Sequence, residues 1–234
     1  MKNIKALFID CDGVLYDKSR CSYHDIAVVA LKKTLDFFKI PMEAVESTRQ
    51  HLKTKGIRGL FNTVLYLCNK RHIAFDNFAT KMALYTDYTN IPKDREMLLL
   101  LKELAVIMPT YIVTNNTLPH LNKVFHRLAG GNYVPLEQSK IYPITIETTL
   151  AQNVFHTKKS AQHLTLLCQH LGQNPQNVLL LDDTLDVCEA AQAQGLQVAV
   201  INTPDDTKKI FKKLIQQKSK NKLLLPPTFK EYSQ

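Results

Sequence analysis

The stretch from Ile4 to Asp17, Ile-Lys-Ala-Leu-Phe-Ile-Asp-Cys-Asp-Gly-Val-Leu-Tyr-Asp, constrains the fold of this chain more than any other. Ala6 to Ile9, with Ile4 before them, form an almost wholly apolar run that stops abruptly at Asp10, Cys11, Asp12 and Gly13. A parallel strand covered on both faces reads this way, because both rows of side chains must be apolar and polarity returns only where the strand opens into a loop. In open α/β sheets that carboxyl edge is where ligand chemistry gathers, since the turning backbone can approach a ligand and the following helices aim their N-termini at it. Asp10 and Asp12, ionised and close together, repel unless a cation or a shared proton intervenes. Mg²⁺ suits such a pair, being a hard ion that prefers carboxylate and carbonyl oxygens and retains waters.

The 234 residues suffice for one substantial core or for a core with a smaller attached domain. With 45% hydrophobic and 22% charged residues, the composition is that of a globular chain, which excludes a disordered one. Lys2 and Lys5 lead directly into the first strand, and no run approaches the roughly 18 apolar residues of a membrane span. The expectation is a cytoplasmic protein with no removable signal and no transmembrane segment. Cys11, Cys21, Cys68, Cys168 and Cys188 are odd in number and contain no Cys-x-x-Cys pair, which argues against a disulfide framework and a structural zinc site. Cys11 reads as a small side chain turned into the fold, with an oxidation-sensitive thiol as the other reading. The formal charge of +9 is concentrated at one end: from Thr207 to Gln234 eight lysines face the single acid Glu231, so the body before them is nearly neutral. This excludes a uniformly nucleic-acid-binding surface and leaves a basic C-terminal helix and tail, a solvated face or a site of weak contact with an anionic surface.

Along the chain, the spacing predicts helices over Asp25 to Phe38, from Met42 behind Pro41, over Leu60 to Leu67, over Phe75 to Tyr88 and over Asp94 to Leu104. Gly56 and Gly59 bend the chain between the second and third of these. The interval from about Tyr16 to Asn90 thus holds helices and no strand, an all-helical insertion placed as a mobile lid behind the first strand. Ala105 to Val113 reads as a second buried strand ending in Thr114, Asn115, Asn116 and Thr117, and Pro119 to Leu128 as a helix stopped by Gly130-Gly131. A short strand near Tyr133-Val134 and an irregular loop over Lys140 to Pro143 follow. A helix from Ser160 to Leu171, a strand from Val178 to Leu181 ending in Asp182-Asp183-Thr184, a helix from Leu185 to Gln194, a strand from Val198 to Ile201 and a basic amphipathic helix from Pro204 to Gln217 complete the pattern. Strands alternating with helices argue for a Rossmann-like parallel α/β sheet with the helical cap inserted after its first strand. The expected division is 1–16 and 91–217 for the α/β core, 17–90 for the cap and 218–234 for the basic tail.

Three strands therefore finish in oxygen-rich loops: Asp10/Asp12, Thr114/Asn115 and Asp182/Asp183. Any one could be helix capping or turn chemistry; the combination is what points to a site. On these residues the chain resembles the haloacid dehalogenase-like superfamily of aspartyl phosphatases, and more narrowly its pyrimidine 5'-nucleotidase branch. Asp-x-Asp-Gly-x-x-Tyr stands at Asp10 to Tyr16, the strand followed by Thr-Asn at Tyr111 to Asn115, and the family's lysine-to-double-aspartate span fits Lys158, Leu171-Gly172 and Asp182-Asp183 without a gap. The narrower likeness rests on Lys55-Gly56-Ile57-Arg58-Gly59-Leu60, on the Phe75 to Pro92 pattern and on Tyr16.

The resemblance implies a Mg²⁺-dependent phosphomonoesterase acting on a small phosphorylated metabolite, with UMP or CMP favoured by the branch. In it Asp10 is the nucleophile that becomes an aspartyl-phosphate, and Asp12 is the acid and then the base. Asp10, the backbone carbonyl of Asp12, Asp183 and, more remotely, Asp182 hold Mg²⁺. Thr114, Asn115 and Lys158 bind phosphate. Tyr16, Lys55 and Arg58 are candidate substrate contacts, Tyr16 at the entrance beneath the lid or in the core, and Asp186 supports the loop. Lys159 stands where the family often has proline, and Gly13 where the nucleotidase branch often has Asn. Rival readings are a sugar-phosphate or phosphoglycolate-type phosphatase or mutase, and a non-catalytic phosphate-binding or regulatory protein working through cap or tail.

Overall fold

The structure is a computed structural model that describes residues 3–19, 23–55, 60–131, 136–151 and 161–223. Its centre is β1 (Ala6–Ile9), four residues all buried. It is flanked by β2 (Thr110–Val113) on one side and β4 (Val178–Asp182) on the other. The edges are β3 (Ile141–Ile144) and β5 (Gln197–Val200), giving the order β3-β2-β1-β4-β5 with every pairing parallel. Alternation along β1 separates two cores, as a period of two requires. Leu7 and Ile9 join Leu101, Leu104, Phe125 and Phe211 on one face, while Ala6 and Phe8 join Leu164, Cys168, Val187 and Ala191 on the other. The first face is covered by α5 (Arg95–Ile107), α6 (Leu118–Ala129) and α10 (Pro204–Leu223). The second is covered by α8 (Ala161–His170) and α9 (Leu185–Ala193).

Between β1 and α5 lie α1 (Tyr23–Phe37), α2 (Met42–Thr54), α3 (Leu60–Lys70) and α4 (Phe75–Tyr85). They bury an apolar cluster of their own, including Leu31, Leu35, Val45, Val64, Leu67, Phe78 and Met82, and α4 packs on α6. This is the helical insertion expected behind the first strand. Among the described residues no helix is long and apolar enough to cross a membrane.

The structure corrects several expected elements. Ala105 to Ile107 close α5 rather than opening a strand. The apolar run there has helical spacing, with Met97, Leu101, Leu104 and Ala105 buried and Leu99 and Val106 exposed, and the strand begins only after Pro109. Lys140 to Pro143 is not a loop: Ile141–Ile144 is the edge strand β3, where Pro143 is tolerated because one rim of an edge strand needs no amide donor. It leads into α7 (Ile146–Ala151), a short helix the spacing did not announce. The strand expected at Tyr133-Val134 lies outside the described residues. The fourth helix stops at Tyr85, leaving Tyr88 in the linker, and α10 runs on to Leu223 across residue 218 without a break.

Candidate active site

The chain leaves β1 toward β2 and β3, then returns to the other side of β1 for β4 and β5, so the connections part between β1 and β4. A crevice opens at the carboxyl ends of two strands whose connections diverge in this way. Ile9 is in register with Ile112 on β2 and Leu181 on β4, and the Asp10 amide donates to the Leu181 carbonyl at 2.9 Å. The next residues along the three strands, Asp10, Val113 and Asp182, therefore end at one level, and the loops beyond them share the crevice.

Asp10, Asp182 and Asp183 present carboxylate oxygens that all lie within 4.8 Å of one another. Asp10 and Asp182 are buried, and Lys18 Nζ stands 2.5 Å from Asp183 Oδ2. Lys18 is one counter-charge to this cluster among the described residues, and an all-oxygen donor set of this kind fits a hard divalent cation. Other contacts fix the carboxylates: the Cys11 amide donates to Asp10 Oδ1 at 2.7 Å, the Thr184 amide to Asp182 Oδ1 at 2.9 Å and the Thr184 hydroxyl to Asp183 Oδ1 at 3.3 Å. Asp186, expected to support this loop, is exposed in the first turn of α9.

The loop after Asp10 turns sharply. Gly13 has φ of +87°, and a Cβ built there would lie 2.2 Å from Asp183 Oδ2, so glycine is required both by the backbone and by the close approach of the carboxylate. The Gly13 amide donates to the Tyr16 carbonyl at 3.1 Å and the Leu15 amide to the Cys11 carbonyl at 2.9 Å. From the opposite side, the Thr207 hydroxyl of α10 donates to the Val14 carbonyl at 2.9 Å, so the C-terminal helix pins the same loop. Cys11 is buried there, its small side chain turned into the fold as expected.

Asp12 is the most heavily partnered carboxylate. It accepts from the Tyr16 hydroxyl at Oδ1 and from the Asn116 side-chain amide at Oδ2, and His120 Nε2 lies 2.9 Å from Oδ1. Burial pushes its pKa up, but the His120 charge and the hydrogen bonds from His120, Tyr16 and Asn116 outweigh it and bring the carboxyl down to about 2. His120 is held in turn: its Nδ1 lies 3.1 Å from the Tyr88 hydroxyl, and burial, with Asp12 and Cys11 close by, drives that phenol well above its usual range. His120 sits in the first turn of α6, whose start is fixed twice. The Thr117 hydroxyl accepts the His120 amide at 3.4 Å, and both Glu147 carboxylate oxygens accept the Leu118 amide at 3.0 and 3.1 Å.

Of the residues expected at the site, the structure brings together Asp10, Asp182 and Asp183, while the Asp12 carboxylate, on the same loop, is gathered with Cys11 and His120. Thr114 is buried one residue beyond β2, its hydroxyl accepting the Asn116 amide at 3.1 Å, and Asn115 is half-buried beside it. Tyr16 is 1% exposed, its ring in the core and its hydroxyl on Asp12, so it does not stand at an open entrance. Lys55 is exposed at the end of α2, and Lys158 and Arg58 lie outside the described residues. Sequence reasoning missed Asn116, His120, Tyr88 and Lys18. The available signal was position: Asn116 and His120 follow Thr114 closely, in the segment that carries β2 over the carboxyl edge into the next helix.

A parallel sheet with a carboxylate cluster at its switch point, and a second, heavily hydrogen-bonded aspartate two residues after the first, marks a candidate cation-assisted site on a Rossmann-like core. The haloacid dehalogenase-like hydrolase family model matches residues 4–195, and the chain belongs to that family. No curated protein matches the sequence. Among solved structures it is similar to a HAD family enzyme of Bacteroides thetaiotaomicron in its magnesium complex, at 17% identity over 90% of this chain and 99% of that one, with a TM-score of 0.54. It is also similar to the HAD-hydrolase YfnB of Bacillus subtilis bound to magnesium, at 16% identity over 90% and 100%, with a TM-score of 0.52. A variant of CbbY from Rhodobacter sphaeroides in complex with xylulose-(1,5)bisphosphate matches at 17% identity over 84% and 85%, with a TM-score of 0.54. At these identities the likeness is one of fold.

Proposed function

We propose that the chain is a Mg²⁺-dependent phosphomonoesterase that works through an aspartyl-phosphate on Asp10 and acts on a small phosphorylated metabolite, a pyrimidine nucleoside 5'-monophosphate first among them. The observation that carries this reading is the convergence of Asp10, Asp182 and Asp183 within 4.8 Å, with Asp12 on the same loop. Magnesium bound by Asp10, the Asp12 carbonyl and Asp183, with Asp182 assisting, supplies positive charge that offsets repulsion between an anionic nucleophile and an anionic ester.

In this reading an Asp10 oxygen attacks phosphorus, the ester P–O bond breaks, and the departing alkoxide takes a proton from Asp12. Asp12 then takes a proton from the water that attacks the acyl phosphate, releasing inorganic phosphate and restoring Asp10. The low proton affinity of Asp12 in the free site keeps it ionised, as the second step requires at its start, but makes it a weak base. An arriving phosphate dianion raises that affinity by like-charge repulsion, which suits the first. Thr114, Asn115 and Lys158 hold the transferring oxygens, and the helices of residues 17–90 serve as the cap from which Lys55 and Arg58 reach the rest of the substrate. The basic segment 218–234 has no part in this chemistry and makes at most weak contact with anionic surfaces.

The pyrimidine assignment rests on the Lys55 to Leu60 sequence, the Phe75 to Pro92 pattern and Tyr16; the sugar bisphosphate held by the CbbY variant makes sugar phosphates the natural competitors. The test is phosphate release from UMP, CMP, purine nucleotides and sugar phosphates, with Mg²⁺ or with EDTA. Metal-dependent release that favours UMP and CMP is expected. A preference for sugar phosphates overturns the nucleotide assignment and keeps the chemistry, whereas no release from any of them overturns both.

A further inference from the structure

Asp12 carries the demanding proton work in the proposed reaction, and its carboxylate is gripped from three separate segments: Tyr16 in its own loop, Asn116 after β2, and His120 at the start of α6. An ionised carboxylate offers about four lone-pair directions. Among the described residues, two on Oδ1 face Tyr16 and His120 and one on Oδ2 faces Asn116, which leaves a direction on Oδ2 for a reacting group. Because an ionised carboxylate only accepts, Nε2 of His120 carries the proton in this contact, and Nδ1 meets the Tyr88 hydroxyl at 3.1 Å, accepting from it in a neutral ring and donating to it in a charged one. Both rings are buried, His120 4% exposed and Tyr88 7%. Tyr88 belongs to the linker that returns the chain from the helical insertion, and the next residue is tied down as well, Arg127 Nη2 donating to the Thr89 carbonyl at 2.6 Å.

We infer that His120 is a positioning residue for Asp12: backed by the Tyr88 hydroxyl, its ring fixes the carboxylate so that the remaining Oδ2 direction faces the leaving group and then the attacking water. This rests on the phosphomonoesterase reading. A misdirected acid matters most when the leaving group is a poor one. An alkoxide cannot depart unprotonated, whereas p-nitrophenolate can, so loss of positioning separates the two substrates, while general loss of structure does not.

The experiment measures kcat/KM, which reports the steps through leaving-group departure, for an alkyl phosphomonoester turned over by the wild type and for p-nitrophenyl phosphate, using the full chain with Mg²⁺. His120→Leu is expected to lower kcat/KM on the alkyl ester by about 10²-fold and on p-nitrophenyl phosphate by less than about 5-fold. His120→Gln, whose amide nitrogen can stand near the Nε2 position, recovers most of that loss. Tyr88→Phe leaves the ring without its backing and gives a smaller loss with the same preference; it carries the comparison should His120→Leu not fold. Equal losses on both substrates, a Gln variant as impaired as Leu, or no loss in any variant would overturn the inference alone. A wild type silent on both substrates overturns the phosphomonoesterase reading and this inference with it.

Discussion

Gly13 shows how tightly individual residues are specified. Its positive φ and the 2.2 Å gap between a built Cβ and Asp183 Oδ2 mean that even alanine must either strain the backbone or push the carboxylate away. Gly13→Ala is expected to cost at least about 1 kcal/mol in stability and to weaken Mg²⁺ binding, read as a lower Tm without metal and a smaller rise on adding it. An unchanged metal-dependent rise would show that Asp183 does not hold the ion. The four aspartates were legible in the sequence because each stands where an apolar strand gives way to polar residues, and buried parallel strands leave few other places for carboxylates to converge. His120 and Tyr88 were not legible. A histidine in the first turn of an amphipathic helix and a tyrosine in a helical-looking aromatic run look like any cap or core residue. Only the packing of α6 and the 86–90 linker in one core sets His120 against Asp12 and Tyr88 against His120.

Among the elements, α5 and α10 show what holds the sheet's first face together. Asp94 caps α5, its Oδ1 accepting the Met97 amide at 2.9 Å, and its Oδ2 lies 3.0 Å from Lys208 of α10. Lys208 is also 2.9 Å from Asp205, and Lys212 is 2.7 Å from Glu96, so part of the basic C-terminal charge is balanced within the fold. Asp94→Ala removes a cap and a half-buried ion-pair partner together. A loss of about 1–2 kcal/mol, seen as a lower urea midpoint at unchanged slope, is expected; no shift would mean the helix is capped by water equally well. The boundary between α5 and β2 was misread because Leu98 to Met108 is apolar enough for either element. Strand and helix are told apart there only by which residues face solvent, and Pro109 marks the break. The edge strand β3 was hidden by Pro143, by its exposed residue Tyr142 and by the exposed Lys140 just before it, features that suit an edge and mimic a loop.

At the scale of the whole molecule, the sheet order sets a crevice between β1 and β4, and the carboxylates of Asp10, Asp182 and Asp183 are brought together there from segments far apart in the chain. The alternation of strands and helices made that architecture readable from the start. How the helical insertion sits was not readable, because its own apolar cluster forms without reference to the sheet and its meeting with the core depends on α4 against α6. The central claim is that Asp10 is a nucleophile served by a divalent cation, and it is tested most directly by phosphate release from p-nitrophenyl phosphate in wild type and Asp10→Asn, each with Mg²⁺ or EDTA. The account predicts release by the wild type with Mg²⁺ only, and a loss of at least about 10³-fold in Asp10→Asn while its melting curve stays cooperative. Release by Asp10→Asn at a rate close to wild type, or release that persists in EDTA, would contradict it.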